Sequence, residues 1–219
     1  MVNKIIGFDM DGVLIDSLPL MELAWNHCSN ILKFNVDFMK YKLHIGKPFG
    51  EIINTLDLNE YLPDIKFIYD DFCIKNYNLI SPYEGIIDLL DFIDEINNCY
   101  VAIITSKTKF RAQYIASKLN LKNNILISPE DVPRGKPYAD PLLKVNKFFD
   151  IRPNKNSSLY IGDMLNDYKA SNSANWFFVL ADWGYGNISD NKNLSQESEY
   201  VRVKTINELK TFLIEWLEK

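Results

Sequence analysis

The sequence predicts an α/β fold, in which a doubly wound parallel sheet of five strands has helices on both faces and an inserted α-helical segment. Short apolar runs typical of buried strands alternate along the chain with longer amphipathic runs of helical period. That alternation predicts parallel strands joined by crossover helices. After the first strand, residues 18–80 show helical periodicity and few strand signals, which indicates an inserted helical unit.

Residues 5–8 form the first predicted strand, an apolar run that is too short for a helix. The strand ends on Asp9 and Asp11, whose spacing puts both side chains on one face of an extended chain, and Gly12 permits a sharp turn. Carboxylates at this edge of a parallel sheet can bind a hard cation, attack an electrophile or transfer a proton. A solvated turn is the alternative, whereas a calcium-binding loop needs a different spacing of acids.

The inserted segment is predicted to contain one amphipathic helix at residues 17–34 and shorter helical pieces at residues 37–77. Breaks at Gly46, Pro48, Asp57 and Pro63 separate the shorter pieces. The aromatic and aliphatic residues of this region recur at helical spacing, so we expect them to form the core of a small bundle. We therefore predict a helical cap domain of residues 18–80 and an α/β core of residues 1–17 and 81–219.

The remaining elements alternate after a break at residues 81–85. Strands are predicted at residues 100–104, 125–127, 159–161 and 176–180, and helices at residues 86–96, 109–119, 141–149 and 167–174. A capping-box pattern from Thr205 to Glu208 predicts the start of the last helix. Residues 129–138 are predicted as a loop, and the polar residues 187–199 as a surface loop.

Composition argues against several classes of function. A net charge of −5 and a pI of about 5.1 are unlike those of a general binder of nucleic acid or anionic membranes. No apolar run approaches the length of a membrane span, and the first strand begins too early for a signal peptide. Cys28, Cys73 and Cys99 form no CxxC pair, so we expect free thiols in a reducing cytoplasm. The oligomeric state is left open.

Polar residues follow three of the predicted strands, at the edge where the carboxyl ends of parallel strands meet. Thr105 and Ser106 follow the second strand, Asp163 follows the fourth, and Lys136 lies in a loop between a glycine and a proline. Carboxylates with open positions suit Mg²⁺, which binds one or two of them together with substrate phosphate. Hydroxyls and a lysine suit phosphate oxygens. Together with the first-strand aspartates, these residues predict phosphoryl transfer.

Four segments, in this order, resemble the motifs of the haloacid dehalogenase-like hydrolase superfamily. They are Asp-Met-Asp-Gly-Val-Leu-Ile-Asp-Ser at 9–17, Thr-Ser-Lys at 105–107, Gly-Lys-Pro at 135–137 and Gly-Asp-Met-Leu-Asn-Asp at 162–167. The resemblance extends from residue 5 to about residue 182 and implies a Rossmann-like core with a cap.

The resemblance also implies a role for each residue. Asp9 attacks phosphorus and becomes an aspartyl-phosphate, while Asp11 protonates the leaving alcohol, activates water and ligates Mg²⁺ through its backbone carbonyl. Lys136 neutralises the charge that Asp9 shares with the phosphate. The implied site residues are Asp9, Asp11 and Lys136 for catalysis; Gly12, Thr105, Ser106 and Lys107 for phosphate binding; and Asp9, Asp11, Asp163 and Asp167 for Mg²⁺.

Some of these assignments have alternatives. Lys107 either reaches the phosphate or stays solvated, and Asp167 either supports the metal site or only caps its helix. Within the superfamily, the helical segment resembles the cap of phosphoglycolate phosphatases and β-phosphoglucomutases, which makes His44 and Lys47 candidates for substrate contact or members of a solvated loop. Met21 stands where mutases and many sugar phosphatases of this subgroup carry a histidine.

The predicted function is that of a Mg²⁺-dependent phosphatase acting on a small phosphorylated metabolite, either phosphoglycolate-like or a sugar phosphate. A phosphosugar mutase is the first alternative, weakened by the missing histidine, and a degenerate relative that only binds a ligand is the second. A haloalkanoate dehalogenase needs neither Mg²⁺ nor an acid at Asp11. A phosphonate hydrolase would need a cap lysine placed to form a Schiff base. No nucleic-acid or membrane partner is expected.

Overall fold

The computed structural model describes residues 3–186 and 200–219. The strands are β1 (Lys4–Phe8), β2 (Ile15–Asp16), β3 (Ser81–Pro82), β4 (Cys99–Ile104), β5 (Ile125–Ile127), β6 (Ser158–Gly162), β7 (Phe177–Ala181) and β8 (Tyr200–Val203). Six of them form one parallel sheet in the order β5-β4-β1-β6-β7-β8. β2 and β3 pair with each other in an antiparallel sense.

The structure corrects the predicted number of strands in the main sheet from five to six. The additional strand, β8, lies at the edge of the sheet and pairs with β7. It has only four residues, of which Val203 is buried and Arg202 is exposed, so its apolar pattern is weaker than that of a central strand. The surface loop predicted at residues 187–199 lies outside the described residues.

The helices are α1 (Leu18–Leu32), α2 (Phe38–Lys42), α3 (Phe49–Thr55), α4 (Leu62–Lys75), α5 (Ile86–Asp94), α6 (Lys109–Lys118), α7 (Asp140–Phe149), α8 (Leu165–Ser173) and α9 (Ile206–Leu217). α8 begins two residues before the predicted start, because Asp167 Oδ2 accepts a hydrogen bond of 2.9 Å from Met164 N and closes the first turn. Within residues 3–186 and 200–219, none of the helices combines the length and the apolar character needed to cross a membrane.

Helices cover both faces of the six-stranded sheet. On one face, α5, α6 and α9 pack against strand residues that include Ile6 and Ile103. On the other face, α7 and α8 pack against residues that include Ile5 and Ala102. Successive residues of β1 and β4 therefore alternate between two buried cores, as expected for central parallel strands. The doubly wound α/β fold predicted from the sequence is confirmed.

Helices α1 to α4 share a third hydrophobic core. Trp25 packs there with Phe34 and Tyr41, with ring centroids 5.0 and 4.7 Å away. Trp25 Nε1 donates a hydrogen bond of 2.7 Å to the backbone oxygen of Val36, so burial of the indole leaves its donor paired. The aromatic residues of this segment thus pack with one another. The boundaries of a cap domain at residues 18 and 80 stay a prediction.

The helical segment lies against the edge of the sheet where β1, β4 and β6 end. β2 and β3 pair where the chain enters and leaves this segment, Ile15 with Pro82 and Asp16 with Ser81. On the far side, the side chain of Ser106 donates a hydrogen bond of 3.1 Å to the backbone oxygen of Gly46, which lies between α2 and α3. The polar ends of three strands are therefore enclosed between the two parts of the molecule.

Candidate active site

A buried lysine joins two carboxylates at the carboxyl edge of the sheet. Lys136 Nζ lies 2.8 Å from Asp9 Oδ1 and 2.6 Å from Asp167 Oδ1, and it donates a hydrogen bond of 3.0 Å to the hydroxyl of Tyr160. Asp9 follows β1, Asp167 lies in the first turn of α8, and Lys136 comes from the loop between β5 and α7. Because buried charges need partners, these two ion pairs fix the ammonium group against Asp9.

Burial and mutual charge shift the pKa values of this cluster. Burial raises the pKa of Asp9 to about 7, against the lowering effect of Lys136 and with the help of Asp167. Burial also raises the pKa of Asp163 well above its ordinary value, and Asp167 and Asp9 add to that shift. Burial lowers the pKa of Lys136, but Asp167 and Asp9 outweigh it and the net shift is upward. Three buried carboxylates face a single lysine here, so a bound cation would relieve their mutual repulsion.

Asp9, Asp163 and Asp167 fit a divalent cation. Each offers one oxygen, and these oxygens all lie within 4.8 Å of one another. Asp163 Oδ2 accepts hydrogen bonds from the backbone N–H groups of Tyr185 and Gly186, at 2.7 and 3.3 Å, whereas the buried Oδ1 has no hydrogen-bond partner. A buried carboxylate oxygen left unpaired calls for a ligand. Mg²⁺ prefers carboxylate oxygens, so the donor set suits this ion.

Gly12 allows the end of β1 to approach this group. Its φ of +83° lies in the left-handed region that favours glycine. A Cβ atom built on Gly12 would also overlap with Asp163 Oδ2. Both the conformation and the space therefore require glycine at this position.

Asp11 lies at the same strand end as Asp9 but has different partners. Its Oδ1 accepts a hydrogen bond from Ser17 Oγ and lies 3.1 Å from Lys107 Nζ. Its carboxylate does not belong to the three-carboxylate group found among the described residues. One aspartate therefore faces a buried lysine and the candidate cation site, whereas the other faces a hydroxyl and a second lysine.

The residues that follow β4 shape the opposite wall of the site. Thr105 is buried, and its Oγ1 accepts a hydrogen bond of 3.1 Å from the backbone N–H of Lys107. The hydroxyl of Ser106 donates a hydrogen bond to Gly46 of the helical segment, and Lys107 forms an ion pair with Asp11. Each of these three side chains lines the central cavity.

That cavity, with a volume of about 50 Å³, separates the helical segment from the sheet edge. Its lining includes Asp9 and Asp11 from the sheet edge, and Met21 and Lys47 from the helical segment. His44 is not among the lining residues that the structure describes. The free space is enough for only a few water molecules, so the helical segment lies close to the site.

Two tyrosines that the sequence analysis does not predict support this site. Tyr160 accepts from Lys136 and donates a hydrogen bond of 2.9 Å to the backbone oxygen of Ile104. Tyr185 accepts hydrogen bonds from the backbone N–H groups of Ser17 and Leu18, at 2.6 and 3.1 Å, where the helical segment begins. The sequence does contain a signal for Tyr160. It is a residue with a hydroxyl group inside an otherwise apolar strand, just before Gly162 and Asp163.

Arg111 is a third residue that the sequence analysis misses. It lines the central cavity and is buried, although arginine is rarely found inside proteins. The buried residues of α6 are Arg111, Ala112, Ile115 and Ala116. Residues 111 and 115 share one face of a helix. An arginine on this apolar face is the signal by which the sequence indicates a buried charge.

Comparison with known proteins identifies the family. The haloacid dehalogenase-like hydrolase family matches residues 6–181. The chain is 30% identical over 206 residues to the N-acetylmuramic acid 6-phosphate phosphatase of Pseudomonas putida, covering 87% of each chain. It is 24% identical over 198 residues to the phosphoglycolate phosphatase of Chromobacterium violaceum, covering 85% of this chain and 88% of the relative.

Solved structures show the same fold. A hydrolase from Pseudomonas syringae superposes with a TM-score of 0.80 at 22% identity, covering 97% of this chain and 98% of the other. A haloacid dehalogenase-like family protein from Streptococcus pneumoniae superposes with a TM-score of 0.78 at 20% identity, covering 98% of both chains.

These similarities confirm two predictions made from the sequence: the family, and the enzyme class of a hydrolase acting on phosphoric monoesters. The conclusion covers the sheet edge and the helical segment, because the matched region contains both. The chain belongs to the haloacid dehalogenase-like hydrolase family.

Proposed function

We propose that this protein is a Mg²⁺-dependent phosphatase that hydrolyses a small phosphomonoester through an aspartyl-phosphate on Asp9, with Asp11 as the general acid and base. The substrate is phosphoglycolate-like or a sugar phosphate, in keeping with the names of the relatives. The observation that carries the proposal is that Asp9 and Asp11, both at the end of β1, have different surroundings. Asp9 is held by a buried ammonium group beside two further carboxylates, while Asp11 stands apart from them.

In the first half-reaction, a carboxylate oxygen of Asp9 attacks phosphorus, and the bond from phosphorus to the leaving alcohol breaks. Asp11 gives that alcohol a proton. In the second half-reaction, Asp11 takes a proton from water, which attacks phosphorus and releases Asp9. Lys136 keeps Asp9 ionised and in one orientation, because its Nζ contacts Oδ1 at 2.8 Å.

The cation would be held by Asp9 and Asp163, whose Oδ1 has no other partner, together with the backbone carbonyl of Asp11. When bound, Mg²⁺ supplies positive charge against the phosphate oxygens. Both oxygens of Asp167 are occupied, one by Lys136 and one by Met164 N, so Asp167 supports the site mainly by holding the lysine and the first turn of α8. Thr105, Ser106, Lys107 and the backbone at Gly12 bind the phosphate.

Met21 favours hydrolysis over the alternative of a phosphosugar mutase. It lines the cavity and offers neither a proton donor nor an acceptor, where the mutases that this chain resembles carry a histidine. A relative that only binds a ligand is disfavoured by Asp11, because binding alone does not need a second carboxylate held apart from the cation site.

The division into a core of residues 1–17 and 81–219 and a cap of residues 18–80 belongs to the same proposal. The catalytic residues lie in the core, and Lys47 of the cap contacts the substrate and contributes to specificity. The separate hydrophobic core of α1 to α4 supports this division. The three cysteines are free thiols, which supports a cytoplasmic location.

Removal of metal tests the proposal. Protein treated with EDTA should hydrolyse p-nitrophenyl phosphate no faster than buffer does, and added Mg²⁺ should restore hydrolysis. The physical reason is that without a cation the carboxylates of Asp9, Asp163 and Asp167 repel one another and an incoming phosphate.

Asp9→Asn, purified in the same way, is the control for contaminating phosphatases because it lacks the nucleophile. Undiminished hydrolysis in the metal-free protein would contradict the dependence on Mg²⁺. An equal rate in wild type and Asp9→Asn would contradict the proposed function itself.

A further inference from the structure

The guanidinium of Arg111 is buried in the wall of the active-site cavity. Its side chain is 7% exposed, and it lies in the first turn of α6, shortly after the predicted phosphate-binding residues 105–107. Arg111 also lines a second cavity of about 20 Å³ that adjoins the first and shares Met21, Tyr69 and Lys107 with it. The arginine thus stands where the space beside the phosphate site continues into the helical segment.

Arg111 contacts a hydroxyl, a carboxylate and two neighbouring aromatic rings. Nε donates a hydrogen bond of 3.2 Å to Thr108 Oγ1 and lies 3.0 Å from Asp70 Oδ1 of α4. The contact with Asp70 is electrostatic only, because Asp70 Oδ1 has no hydrogen-bond partner. The rings of Phe49 and Tyr69 lie 5.2 Å from the guanidinium carbon. The thiol of Cys73 also interacts with the Arg111 side chain, and among the described residues no oxygen accepts a hydrogen bond from Nη1 or Nη2.

Thr108, Asp70 and the two neighbouring rings therefore hold the guanidinium in place, and no oxygen of the described residues accepts a hydrogen bond from its terminal nitrogens. The parallel N–H groups of such a fork match the two oxygens of a carboxylate. Two of the lysines at this site are already paired, Lys136 with Asp9 and Asp167 and Lys107 with Asp11, and Lys47 lies on the cap side of the cavity. A preorganised cation in a cavity wall that has no assigned role calls for an anionic ligand.

We propose that Arg111 determines specificity by binding a carboxylate of the substrate through Nη1 and Nη2. The inference rests on the proposed phosphatase function and narrows the substrate class to small phosphomonoesters that also carry a carboxylate. The phosphate lies at Asp9 and Lys107, and the carboxylate lies a few bonds away at Arg111, since one cavity contains all three residues. Both glycolate and muramic acid, in the names of the two relatives, are carboxylic acids.

A purely structural role would also account for a buried arginine, because the contact with Asp70 joins α6 to α4. The two roles differ in what they predict for pairs of substrates. A structural contact acts on cap closure and therefore changes the hydrolysis of every substrate in parallel. A carboxylate-binding residue changes the preference between an acid and its neutral counterpart.

The test compares kcat/KM within two matched pairs, phosphoglycolate with 2-hydroxyethyl phosphate, and 6-phosphogluconate with glucitol 6-phosphate. Wild type should prefer the acid in at least one pair. In Arg111→Met the ratio of acid to neutral substrate should fall about tenfold to 100-fold, mainly through KM, because a charge-assisted bidentate contact is lost. Arg111→Lys keeps the charge without the fork, folds more readily, and should lose part of the preference.

Asp70→Asn is the matched control, because it removes the partner on α4 and keeps the guanidinium. It should preserve the ratio of acid to neutral substrate even where both rates fall. Inorganic phosphate should inhibit wild type and the Arg111 variants alike, since it needs only the phosphate site. Equal rates for acid and neutral substrates in wild type, or a parallel loss of both in Arg111→Met and Arg111→Lys, would overturn the assignment. If wild type hydrolyses no phosphomonoester, the proposed function fails first, and this inference fails with it.

Discussion

Asp9 and Asp11 lie two residues apart at the end of β1, but their carboxylates have different surroundings. The carboxylate of Asp9 is buried against Lys136, and burial raises its pKa to about 7. The carboxylate of Asp11 is held by Ser17 and Lys107. Asp11 comes just before the turn at Gly12, and Ser17, which follows that turn, donates its hydroxyl hydrogen to Asp11 Oδ1.

The roles of these two residues can be separated by mass spectrometry of acid-quenched protein. With p-nitrophenyl phosphate, whose leaving group needs no proton, Asp11→Asn should still phosphorylate Asp9 and then release phosphate slowly. The loss of general acid–base catalysis should lower the rate about 10²–10⁴-fold. An added phosphoryl group should therefore accumulate on the peptide that contains Asp9.

Asp9→Asn is the matched variant, because it keeps Asp11 and removes the attacking oxygen. It should carry no added phosphoryl group under the same conditions. A label on Asp11, or one that survives in Asp9→Asn, would reverse the assignment of roles.

Residue-level prediction from the sequence is strongest where a side chain follows a strand or lies within a motif. Asp9, Thr105 and Asp163 meet at one edge because their strands are adjacent and parallel. Tyr160 and Arg111 could not be placed in this way. Both lie inside regular elements, and their importance depends on which element packs opposite them.

At the scale of elements, the loop between β5 and α7 positions Lys136 in the candidate active site. Asp131 anchors this loop, accepting hydrogen bonds from the backbone N–H and the hydroxyl of Ser128 at 3.0 and 2.7 Å. Lys109 of α6 lies 2.6 Å from Asp131 Oδ1. The loop is thereby tied to a neighbouring helix shortly before it delivers Lys136.

Asp131→Asn should lower Tm at pH 7, and the difference from wild type should shrink as the pH falls. Burial acts to raise the pKa of Asp131, but the hydrogen bonds from Lys109 and Ser128 outweigh it and lower the pKa from 3.8 to about 2. A carboxylate with a lowered pKa stabilises the fold above its ordinary pKa, and that stabilisation is lost as the pH falls from about 4 towards 2. Thermal unfolding at several pH values measures the effect.

Asp71→Asn is a suitable comparison, because the Asp71–Lys75 pair is exposed on α4 and such pairs contribute about 0–1 kcal/mol. Its Tm should stay close to that of wild type at every pH. A pH-independent difference for Asp131→Asn would show that the carboxylate is not charged in its stabilising contacts.

The elements themselves are largely predictable from periodicity, and the failures have a physical cause. Central strands bury both faces and read as continuous apolar runs, so β1, β4 and β6 are found within one residue of their observed ends. β8 has only four residues, lies at the edge of the sheet and contains the exposed Arg202, so its apolar run is too short to stand out. The early start of α8 depends on the side chain of Asp167, which no apolar pattern reveals.

At the scale of the whole molecule, the helical segment closes over the sheet edge through few polar contacts. The backbone oxygen of Gly46 accepts hydrogen bonds from Ser106 and Asn166, at 3.1 and 3.4 Å, and Asp70 faces Arg111. In the proposed mechanism these contacts open to admit the substrate, a motion expected on the scale of about μs–ms. The pairing of Gly46 with Ser106 could not be predicted, because it joins a loop to a strand end far along the chain.

Lys47→Ala should change the ranking of substrates more than it changes kcat for p-nitrophenyl phosphate, because Lys47 lines the cavity from the side of the helical segment. His44→Ala is the matched variant from the same loop, and it should alter the ranking less. Steady-state kinetics on a panel of phosphomonoesters measures both. Equal shifts in the two variants, or no shift in either, would contradict a substrate-reading role for Lys47.

The position of β1 between β4 and β6 also has a consequence for how the protein is made. Lys4 pairs with Cys99, and Ile5 pairs with Ser158, so β1, which leads to the proposed nucleophile Asp9, can pair only with residues that are synthesised much later. Such long separations slow folding and leave apolar strands unpaired in the meantime. The candidate active site can therefore form only after Asp167 has been synthesised, and a stalled or truncated chain exposes apolar strands of the sheet to aggregation or to a chaperone.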